Sequence, residues 1–429
     1  MKAYKDLTKD ELLTLKAALE VEYKEMESKG LNLNMARGKP GFSQLELCMP
    51  KLDVVISTSA MRTMLGNDTR NYGDLDGIGE CRRLMAYMLE VEKDNVLVGG
   101  NSSLNLMFDT VSRSFTHGVN GFTPWYKLDK VKFLCPVPGY DRHFRITEEF
   151  GIEMINIPLH DDGPDMDLVE QYVNNDPAVK GIWCVPKYSN PTGISYSDEV
   201  VLRFANLKPA AEDFRIYWDN AYGIHHLYED KQDKILNILE ECKKAGNPNM
   251  VYIFCSTSKI SFPGSGVSAV ASSIENIKYI MSHMTVQTIG HDKINQLRHA
   301  RFFKDIDGLN AHMKKHAEVL RPKFAAVLDT LEAELSGLEI GTWVNPRGGY
   351  FVSFNSMPGC AKAIVKMCKD LGVVMTDAGA TFPYGKDPED SNIRIAPTFP
   401  SIEEMEVASK VFVLCVKLCS VNKLLADMN

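Results

Sequence analysis

Residues 251–259 read Val251-Tyr252-Ile253-Phe254-Cys255-Ser256-Thr257-Ser258-Lys259, an apolar run that ends in three hydroxyl side chains and a lysine. The run has the β-branched and aromatic composition of a buried strand, and the loop sequence Pro263-Gly264-Ser265-Gly266 follows it. Packing alone does not account for a lysine in this place. We interpret Lys259 as a functional amine at the carboxyl end of a strand, with Ser256 and Ser258 beside it as anion ligands.

Two further polar segments follow apolar runs upstream of this lysine. Asn190-Pro191-Thr192-Gly193 comes after the run at 181–186, and Asp219-Asn220-Ala221-Tyr222 comes after the run at 214–218. In a parallel sheet the carboxyl ends of the strands meet at one crevice. We therefore expect all three segments to face one ligand.

The arrangement of apolar runs predicts the fold class. Between about residues 50 and 305, short strand-like runs alternate with amphipathic stretches, and several runs are continuously apolar, as in a buried parallel sheet. A long helix is predicted at 311–335, strands at 344–354 and 392–396, and two further helices at 361–371 and 402–418. The sequence thus predicts an α/β protein, with a large domain at 50–305 built on a mainly parallel central sheet. A smaller α+β domain is predicted from 1–49, which includes an arm helix after the capping-box pattern Thr8-Lys9-Asp10-Glu11, together with 306–429.

Composition narrows the range of functions. The chain has 429 residues, 45% hydrophobic and 24% charged, and a net charge of -8, which argues against a nucleic-acid surface. No apolar segment reaches the roughly 20 residues of a membrane span, and the amino terminus lacks the apolar core of a signal peptide. The ten cysteines form no close CxxC pairs, so we expect reduced core thiols, no metal site and a cytoplasmic location.

The three strand-end segments supply the groups that pyridoxal phosphate chemistry requires, namely an amine, an acid near the ring nitrogen and donors to the phenolate oxygen. Lys259 would hold the cofactor as a Schiff base and shuttle the α-proton of a substrate. Asp219 would pair with the ring nitrogen, and Asn190 and Tyr222 would donate to the phenolate oxygen. Singly, each of these is an ordinary turn or cap residue, but their order favours a cofactor site.

Other parts of the chain supply the remaining contacts of such a site. Gly99-Gly100-Asn101-Ser102-Ser103 reads as a glycine turn opening a helix, and we expect Ser102 and Ser103 to bind the cofactor phosphate. Tyr140 is predicted to stack on the cofactor ring. Arg394, set between apolar neighbours, is predicted to bind the carboxylate of an amino-acid substrate in a bidentate manner.

Taken together, these residues resemble those of fold-type I pyridoxal-phosphate-dependent class I aminotransferases, over nearly the whole chain. The matching positions are Gly38, Tyr72, Ser102, Ser103, Tyr140, Asn190, Asp219, Tyr222, Ser256, Lys259 and Arg394. Arg37-Gly38-Lys39-Pro40, Ser258-Lys259-Ile260 and the stretch 290–299 are similar to a divergent bacterial branch, aspartate aminotransferase-like or MocR-like. The resemblance implies the fold-type I architecture, a bacterial origin, and a homodimer in which Tyr72 reaches the phosphate of the partner subunit.

One position departs from the class I pattern. The family places an arginine eight residues after the lysine as a phosphate ligand, whereas Val267 stands there in this chain. Lys293 or Arg298 is our hypothesis for the compensating cation.

The predicted function is a pyridoxal-phosphate-dependent aminotransferase that moves an amino group between an L-amino acid and a 2-oxo acid by a ping-pong mechanism. Aspartate or glutamate is the favoured donor, which requires a second cation for the distal carboxylate. Gly38, Asn190 and Arg394 are expected at the substrate. The candidates for the second cation are Arg37, Lys39, Lys293, Arg298 and Arg301, with Arg37 preferred for its place beside Gly38.

Two alternatives use the same scaffold. A β-lyase or decarboxylase would share Lys259 and need an additional acid, for which His225 and His226 lie near Tyr222 in the sequence. A MocR-type effector-sensing domain is disfavoured, because only about 30 residues precede the Arg37-Gly38 loop and the chain is acidic.

Overall fold

The computed structural model describes residues 2–428 and alternates strands with helices over most of its length. The strands are β1 Leu33–Asn34, β2 Val96–Val98, β3 Lys132–Val137, β4 Glu153–His160, β5 Gly163–Pro164, β6 Val179–Cys184, β7 Arg215–Asp219, β8 Val251–Ser256, β9 Ser268–Ala271, β10 Gly341–Trp343, β11 Val352–Ser356, β12 Val373–Val374 and β13 Asn392–Ile395. The α-helices are α1 Lys9–Glu27, α2 Phe42–Glu46, α3 Gly79–Leu89, α4 Ser103–His117, α5 Asp141–Glu149, α6 Met166–Asn175, α7 Asp198–Ala205, α8 Ile238–Lys244, α9 Ile274–Met284, α10 Lys293–Phe303, α11 Ile306–Leu335, α12 Ala361–Asp370 and α13 Ile402–Asp427.

The main sheet has the strand order β2-β9-β8-β7-β6-β3-β4-β5. Its five central strands, from β8 to β4, run parallel, while β9 and β5 pair antiparallel with their neighbours. Every side chain of β6 and β7 is buried, because one face of the sheet packs on α3, α6, α7 and α8 and the other on α4, α5 and α9. The predicted α/β fold with a mainly parallel central sheet is confirmed.

The register of the sheet brings the predicted site segments to one edge. Asp219 is the last residue of β7 and lies opposite Phe254 of β8, whose strand ends at Ser256. Cys184 at the end of β6 lies opposite Trp218 of β7. The segments that carry Asn190, Asp219 and Lys259 therefore leave the sheet on the same side.

The carboxyl-terminal part forms a second, antiparallel sheet with the order β10-β11-β13, packed on α11 and α13. The amino-terminal segment joins it, since β1 pairs with β12 and α1 begins with the predicted capping box at Thr8. The expected strand at 344–354 is wrong over 344–351, which is mostly loop. Gly349 there has φ +81°, and a Cβ at Gly348 would lie 2.4 Å from the Tyr188 ring, so this glycine pair serves a close contact instead of a strand.

Residues 2–428 contain no helix long and apolar enough to cross a membrane. The division into domains at 50–305 and at 1–49 with 306–429 stays a prediction. Val185, Tyr188, Tyr222 and Leu227, from within 50–305, pack into the same hydrophobic cluster as the carboxyl-terminal sheet.

Candidate active site

A cavity of about 670 Å³ opens between the carboxyl ends of the parallel strands and the carboxyl-terminal sheet. Lys259 and Tyr222 line it from the loops after β8 and β7. Arg394 of β13 lines the opposite wall, and the amino-terminal segment contributes Arg37 and Gly38. Elements distant in sequence thus bring the predicted amine and the predicted carboxylate ligand into one space.

The Lys259 amine lies among aromatic rings, with Nζ 5.1 Å from the ring centre of Tyr222 and 5.9 Å from that of Tyr350. Burial lowers the pKa of this amine below its ordinary value. The negative charge of Asp219 partly opposes the shift, and the positive charge of Arg394 adds to it. This shift raises the share of the neutral, nucleophilic form of the amine relative to an exposed lysine.

The Asp219 carboxylate is buried and held on one side only. Its Oδ2 lies 3.0 Å from Nε2 of His143, whose ring stacks on Trp183 with 4.5 Å between ring centres. Its Oδ1 is buried and has no hydrogen-bond partner within residues 2–428. A fixed carboxylate with one free acceptor atom fits the protonated ring nitrogen of pyridoxal phosphate.

His143 is a site residue that the sequence analysis missed. It lies in the first turn of α5, three residues after Tyr140, and the two rings meet edge to face with 4.9 Å between their centres. That spacing after a strand-end tyrosine was the available signal. The run Asp141–Glu149 otherwise reads as an ordinary charged helix.

The two segments predicted to hold a phosphate meet in the structure. Ser102 caps the amino terminus of α4, where its Oγ accepts from the Leu104 N–H at 3.2 Å. Ser258 donates its hydroxyl to the Asn101 carbonyl at 3.0 Å, and its N–H to Ser256 Oγ at 3.4 Å. The helix terminus and the serines after β8 form one polar corner beside Lys259, which suits an anion.

Val267, which stands where the family has a phosphate-binding arginine, is packed in the protein interior. Its N–H donates to Thr257 Oγ1 at 2.9 Å.

Lys51 is fully buried behind the Ser256–Lys259 loop, where Nζ lies 3.2 Å from both the Ser265 carbonyl and Nε2 of His299. Burial lowers the pKa of Lys51 to about 8. No sequence pattern indicates this cation, because a single lysine between Pro50 and Leu52 reads as a surface residue.

The two cations suggested as replacements occupy different places. Lys293 Nζ donates to the Gly73 carbonyl at 3.0 Å, directly beside Tyr72. Arg298 is close enough to Lys51 for its charge to lower the pKa of that amine further, and its buried Nε has no partner within residues 2–428. Neither lines the active-site cavity.

Arg394 is buried and already contacts polar side chains. Its Nη1 donates to Asp141 Oδ1 at 3.0 Å and to Asn190 Oδ1 at 3.2 Å, and its Nη2 donates to Thr376 Oγ1 at 3.3 Å. The Phe351 ring lies 4.9 Å from the guanidinium carbon. The same ring explains Gly38, because a Cβ at that position would lie 2.3 Å from Phe351 Cζ.

The candidates for the second cation are separated by the structure. Arg37 lines the cavity, is exposed and makes no ion pair within residues 2–428. Lys39 also lines it, but its Nζ lies 3.9 Å from the Phe399 ring centre. Arg301 is elsewhere and donates to the Ala60 carbonyl at 2.6 Å. Arg142, which the sequence analysis did not consider, is a second exposed arginine on the lining without an ion pair in the described part of the chain.

A buried polar network lies behind Lys259. Tyr350 donates its hydroxyl to the Lys259 carbonyl at 3.1 Å and accepts from Gln44 Nε2 at 2.9 Å. Gln44 Nε2 also lies 3.1 Å from His316 Nδ1, which places the proton of a neutral His316 on Nε2, facing His312 Nε2 at 2.9 Å. His312 Nε2 then accepts from His316, and the Ile260 carbonyl, 2.8 Å from that nitrogen, accepts its hydrogen bond from the Cys48 thiol at 3.3 Å.

Cys48 completes this group, with Sγ 3.6 Å from His312 Nε2. Cys48, His312 and His316 bring three side chains of metal-ligand type within 4.8 Å of one another, a grouping that the sequence analysis did not foresee. Gln44 is oriented by the Gly41 N–H, which donates to its Oε1 at 3.2 Å. With Gln44 as donor, the group works as a hydrogen-bond network that fixes the carbonyls of Lys259 and Ile260.

The two histidines suggested for lyase chemistry do not line the active-site cavity. Burial, followed by the charge of Lys259, holds the pKa of His225 well below its ordinary value. His226 Nδ1 is 2.6 Å from the Tyr188 hydroxyl. Neither residue is placed to act as an acid on a substrate in this cavity.

Comparison with known proteins agrees with this geometry. Residues 7–428 match the family described as aspartate amino-transferase. The aspartate aminotransferase of Corynebacterium glutamicum is 45% identical over 93% of this chain and 92% of its own. The crystal structure of an aspartate transaminase from the same species superposes with a TM-score of 0.95 at 42% identity, covering 98% of this chain and 99% of that one.

A more distant structure shares the fold. The α-aminoadipate aminotransferase of Thermus thermophilus, solved with N-(5'-phosphopyridoxyl)-L-leucine, has a TM-score of 0.73 at 18% identity over 94% of this chain and 95% of its own. The predicted family, fold type, enzyme class and cofactor are confirmed, whereas the similarity to MocR-like proteins stays a prediction. The chain belongs to the aspartate amino-transferase family and is a pyridoxal-phosphate-dependent aminotransferase of fold type I.

Proposed function

We propose that this enzyme transfers the amino group of L-aspartate or L-glutamate, with aspartate favoured, to a 2-oxo acid. The observation that carries the proposal is the pair of exposed arginines, Arg37 and Arg142, on the lining that also holds Arg394. Neither makes an ion pair within residues 2–428. A dicarboxylic substrate would meet a cation at each of its ends.

Arg394 is the proposed ligand of the α-carboxylate. Its planar guanidinium can bind both oxygens of a carboxylate, and its burial strengthens that interaction. To bind substrate in this way it exchanges its contacts with Asp141 and Asn190 for the carboxylate. Gly38 leaves room for the Phe351 ring, which forms part of the wall beside this arginine.

The cofactor residues follow from the free atoms of the site. We assign the unpartnered Oδ1 of Asp219 to the ring nitrogen, and the Asn190 amide and the Tyr222 hydroxyl to the phenolate oxygen. Tyr140 is assigned to the ring face. The phosphate ligands are proposed to be Ser102, Ser103, Ser256 and Ser258 together with the amino terminus of α4.

Bound pyridoxal phosphate withdraws electrons from the substrate Cα and so acidifies its α-proton. Lys259 is the proposed acceptor and donor of that proton, because it lines the cavity together with Arg394 and its Nζ lies over the Tyr222 ring. Burial lowers the pKa of its amine and so increases the fraction in the neutral form that can accept a proton. Asp219 would remain an anion opposite the ring nitrogen, held in place by His143.

The homodimer is also a proposal. Tyr72 is 79% exposed, and Met64 and Leu65 on the same segment are 77% and 85% exposed, so this part of the surface is apolar and uncovered. Lys293 fixes the segment through the Gly73 carbonyl. We propose that a second copy covers it and receives Tyr72 at its cofactor phosphate. A cytoplasmic location stays a prediction.

Steady-state kinetics with L-aspartate and L-alanine test the substrate proposal. Arg37→Met and Arg142→Met should each lower kcat/KM for aspartate about tenfold or more, since charged hydrogen bonds contribute roughly 1.5–3 kcal/mol, and should leave alanine nearly unchanged. Lys39→Met is the matched control, because this lysine lines the cavity but contacts Phe399. Equal losses for both substrates, or none, would refute the assignment of the distal carboxylate.

A further inference from the structure

The loop between Asp219 and His226 separates the active-site cavity from a second cavity of about 390 Å³. Tyr222 lines the first, whereas Asn220, Gly223 and His226 line the second. Lys187, three residues before Asn190, enters the second cavity from the loop after β6. None of the chemistry described so far uses Asn220, His226 or Lys187.

Lys187 is a largely buried residue whose ammonium forms no ion pair within residues 2–428. Its side chain is 8% exposed, and it makes no hydrogen bond or ion pair within residues 2–428. The nearest ring, that of Tyr188, has its centre 5.7 Å from Nζ. Buried lysines are almost always paired, because leaving an ammonium out of water is costly. Burial correspondingly lowers the pKa of Lys187.

His226 offers a donor to the same cavity. The Tyr188 hydroxyl accepts from the Asp233 N–H at 3.0 Å and donates its own proton to His226 Nδ1 at 2.6 Å. The neutral imidazole then carries its proton on Nε2. Burial, followed by the charge of Lys187, lowers the pKa of His226 to about 4, so the ring is neutral at pH 7.

The negative charges of Glu90 and Asp233 on this lining partly oppose the lowering of the Lys187 pKa, but neither acid forms an ion pair with Lys187. Asp233 is engaged by the Ser195 hydroxyl at 2.7 Å and by Arg347 at 3.4 Å. Glu90 is exposed and forms no ion pair with Lys187. The side-chain amide of Asn220 makes no hydrogen bond in the described part of the chain, and its Oδ1 is buried. The Lys187 ammonium, the Asn220 amide and the His226 Nε2–H therefore belong to one cavity lining, and none of them has a hydrogen-bond acceptor within residues 2–428.

We propose that this second cavity binds a small oxyanion, a carboxylate or a phosphate, through the Lys187 ammonium, the His226 Nε2–H and the Asn220 amide. The oxygens of one such anion can accept from all three donors. A bound anion would contact the loop that carries Asp219 and Tyr222 and would hold it in one conformation, so the cavity is a regulatory site. The proposal does not depend on the choice of amino-acid substrate.

Titration calorimetry on the holoenzyme tests it, because the cofactor then fills its own phosphate site. Inorganic phosphate and acetate are titrated separately at constant ionic strength into wild type, Lys187→Met and Lys234→Met, the last an exposed lysine on the same lining. We expect saturable binding of at least one anion, weakened tenfold or more by Lys187→Met and less than twofold by Lys234→Met. The anion that binds identifies the source as carboxylate or phosphate. No saturable binding, or equal affinity in Lys187→Met, overturns the proposal.

A measurement on the wild-type holoenzyme covers the case in which Lys187→Met fails to fold. Acetylation of individual lysines by an amine-reactive reagent is followed by mass spectrometry, with and without the anion. The anion should slow modification of Lys187 severalfold and leave that of Lys234 unchanged. Modification of Lys187 at the same rate in both conditions contradicts the proposal.

Discussion

The two ends of the active-site cavity are built in different ways. At the proposed cofactor end, Asp219 and Lys259 follow neighbouring parallel strands, and His143 fixes Asp219 while leaving one carboxylate oxygen free. At the proposed substrate end, Arg394 comes from the carboxyl-terminal sheet and already contacts Asp141 and Asn190. The first end is ready for its ligand, whereas the second must exchange protein contacts for a substrate carboxylate.

This difference indicates how the affinities for the cofactor and for the substrate are determined. A group held in its binding position gives up little freedom when the ligand arrives, so the cofactor end favours tight and lasting binding. A group that must leave other partners binds more weakly and reversibly, which suits substrates that enter and leave in every cycle. Substitutions at the two ends should therefore change different quantities.

The largest effect is expected from Lys259→Ala. Removal of the amine takes away the proposed proton carrier, and kcat should fall by about 10³-fold or more. Because Nζ makes no hydrogen bond within residues 2–428, the thermal unfolding temperature should stay within a few degrees of wild type. Mass spectrometry after borohydride reduction should show covalent cofactor on the wild type only. Turnover at the wild-type rate would remove Lys259 from the mechanism.

Arg394→Lys tests the other end. Lysine keeps the charge but loses the bidentate geometry, so kcat/KM for aspartate should fall roughly 10- to 150-fold, corresponding to about 1.5–3 kcal/mol, mainly through KM. Cofactor affinity, measured by absorbance titration, should change little. Arg145→Lys on the exposed face of α5 serves as control. An unchanged KM would mean that the α-carboxylate binds elsewhere.

Lys51→Met tests the burial of charge at the cofactor end. Folding lowers the pKa of Lys51 from 10.5 to about 8, so the unfolded chain binds more protons between these pH values and wild-type stability should rise with pH across this window. The variant lacks this pH-dependent contribution to stability. The difference in unfolding free energy, wild type minus variant, should grow by at most roughly 3 kcal/mol at about 1.4 kcal/mol per pKa unit.

Urea unfolding of the cofactor-free protein at pH 7 and pH 10 measures that difference. Lys208→Met, at an exposed position, is the control and should show no such change. A constant difference between the two pH values would show that Lys51 keeps an ordinary pKa in the folded protein.

The smallest effect is expected from Asp141→Asn. The substitution removes the negative charge that pairs with Arg394. Because the Asp141 side chain is about one-third exposed, this ion pair stabilises the substrate-free site by at most about 1 kcal/mol. The KM for aspartate should fall about two- to fivefold with kcat unchanged, because the substrate no longer displaces a charged group. A higher KM would mean that Asp141 helps to orient Arg394 instead of competing with the substrate.

The sequence predicted the cofactor end better than the substrate end for a physical reason. Asp219 and Lys259 each follow an apolar strand, and the parallel sheet brings strand ends together whatever lies between them. At the substrate end, Arg142 lies within the charged helix α5, and only packing of α5 against the sheet brings it to the cavity lining. No local pattern distinguishes Arg142 from a surface residue.

Long-range polar contacts were equally out of reach. Gln44 and Tyr350 are separated by 306 positions, and nothing near either residue in the sequence indicates the other. The loop at 344–351 was included in the predicted strand, whereas Gly348 and Gly349 in it are needed for close contact with Tyr188. Such contacts depend on the assembled fold.

The network behind Lys259 has a consequence for how this enzyme can change. Four segments far apart in the sequence meet there, carrying Gln44, Lys259, His316 and Tyr350. Since each side chain fixes the protonation or orientation of the next, single replacements should not be additive. Recombination with related enzymes will therefore succeed only when these positions are inherited as one block.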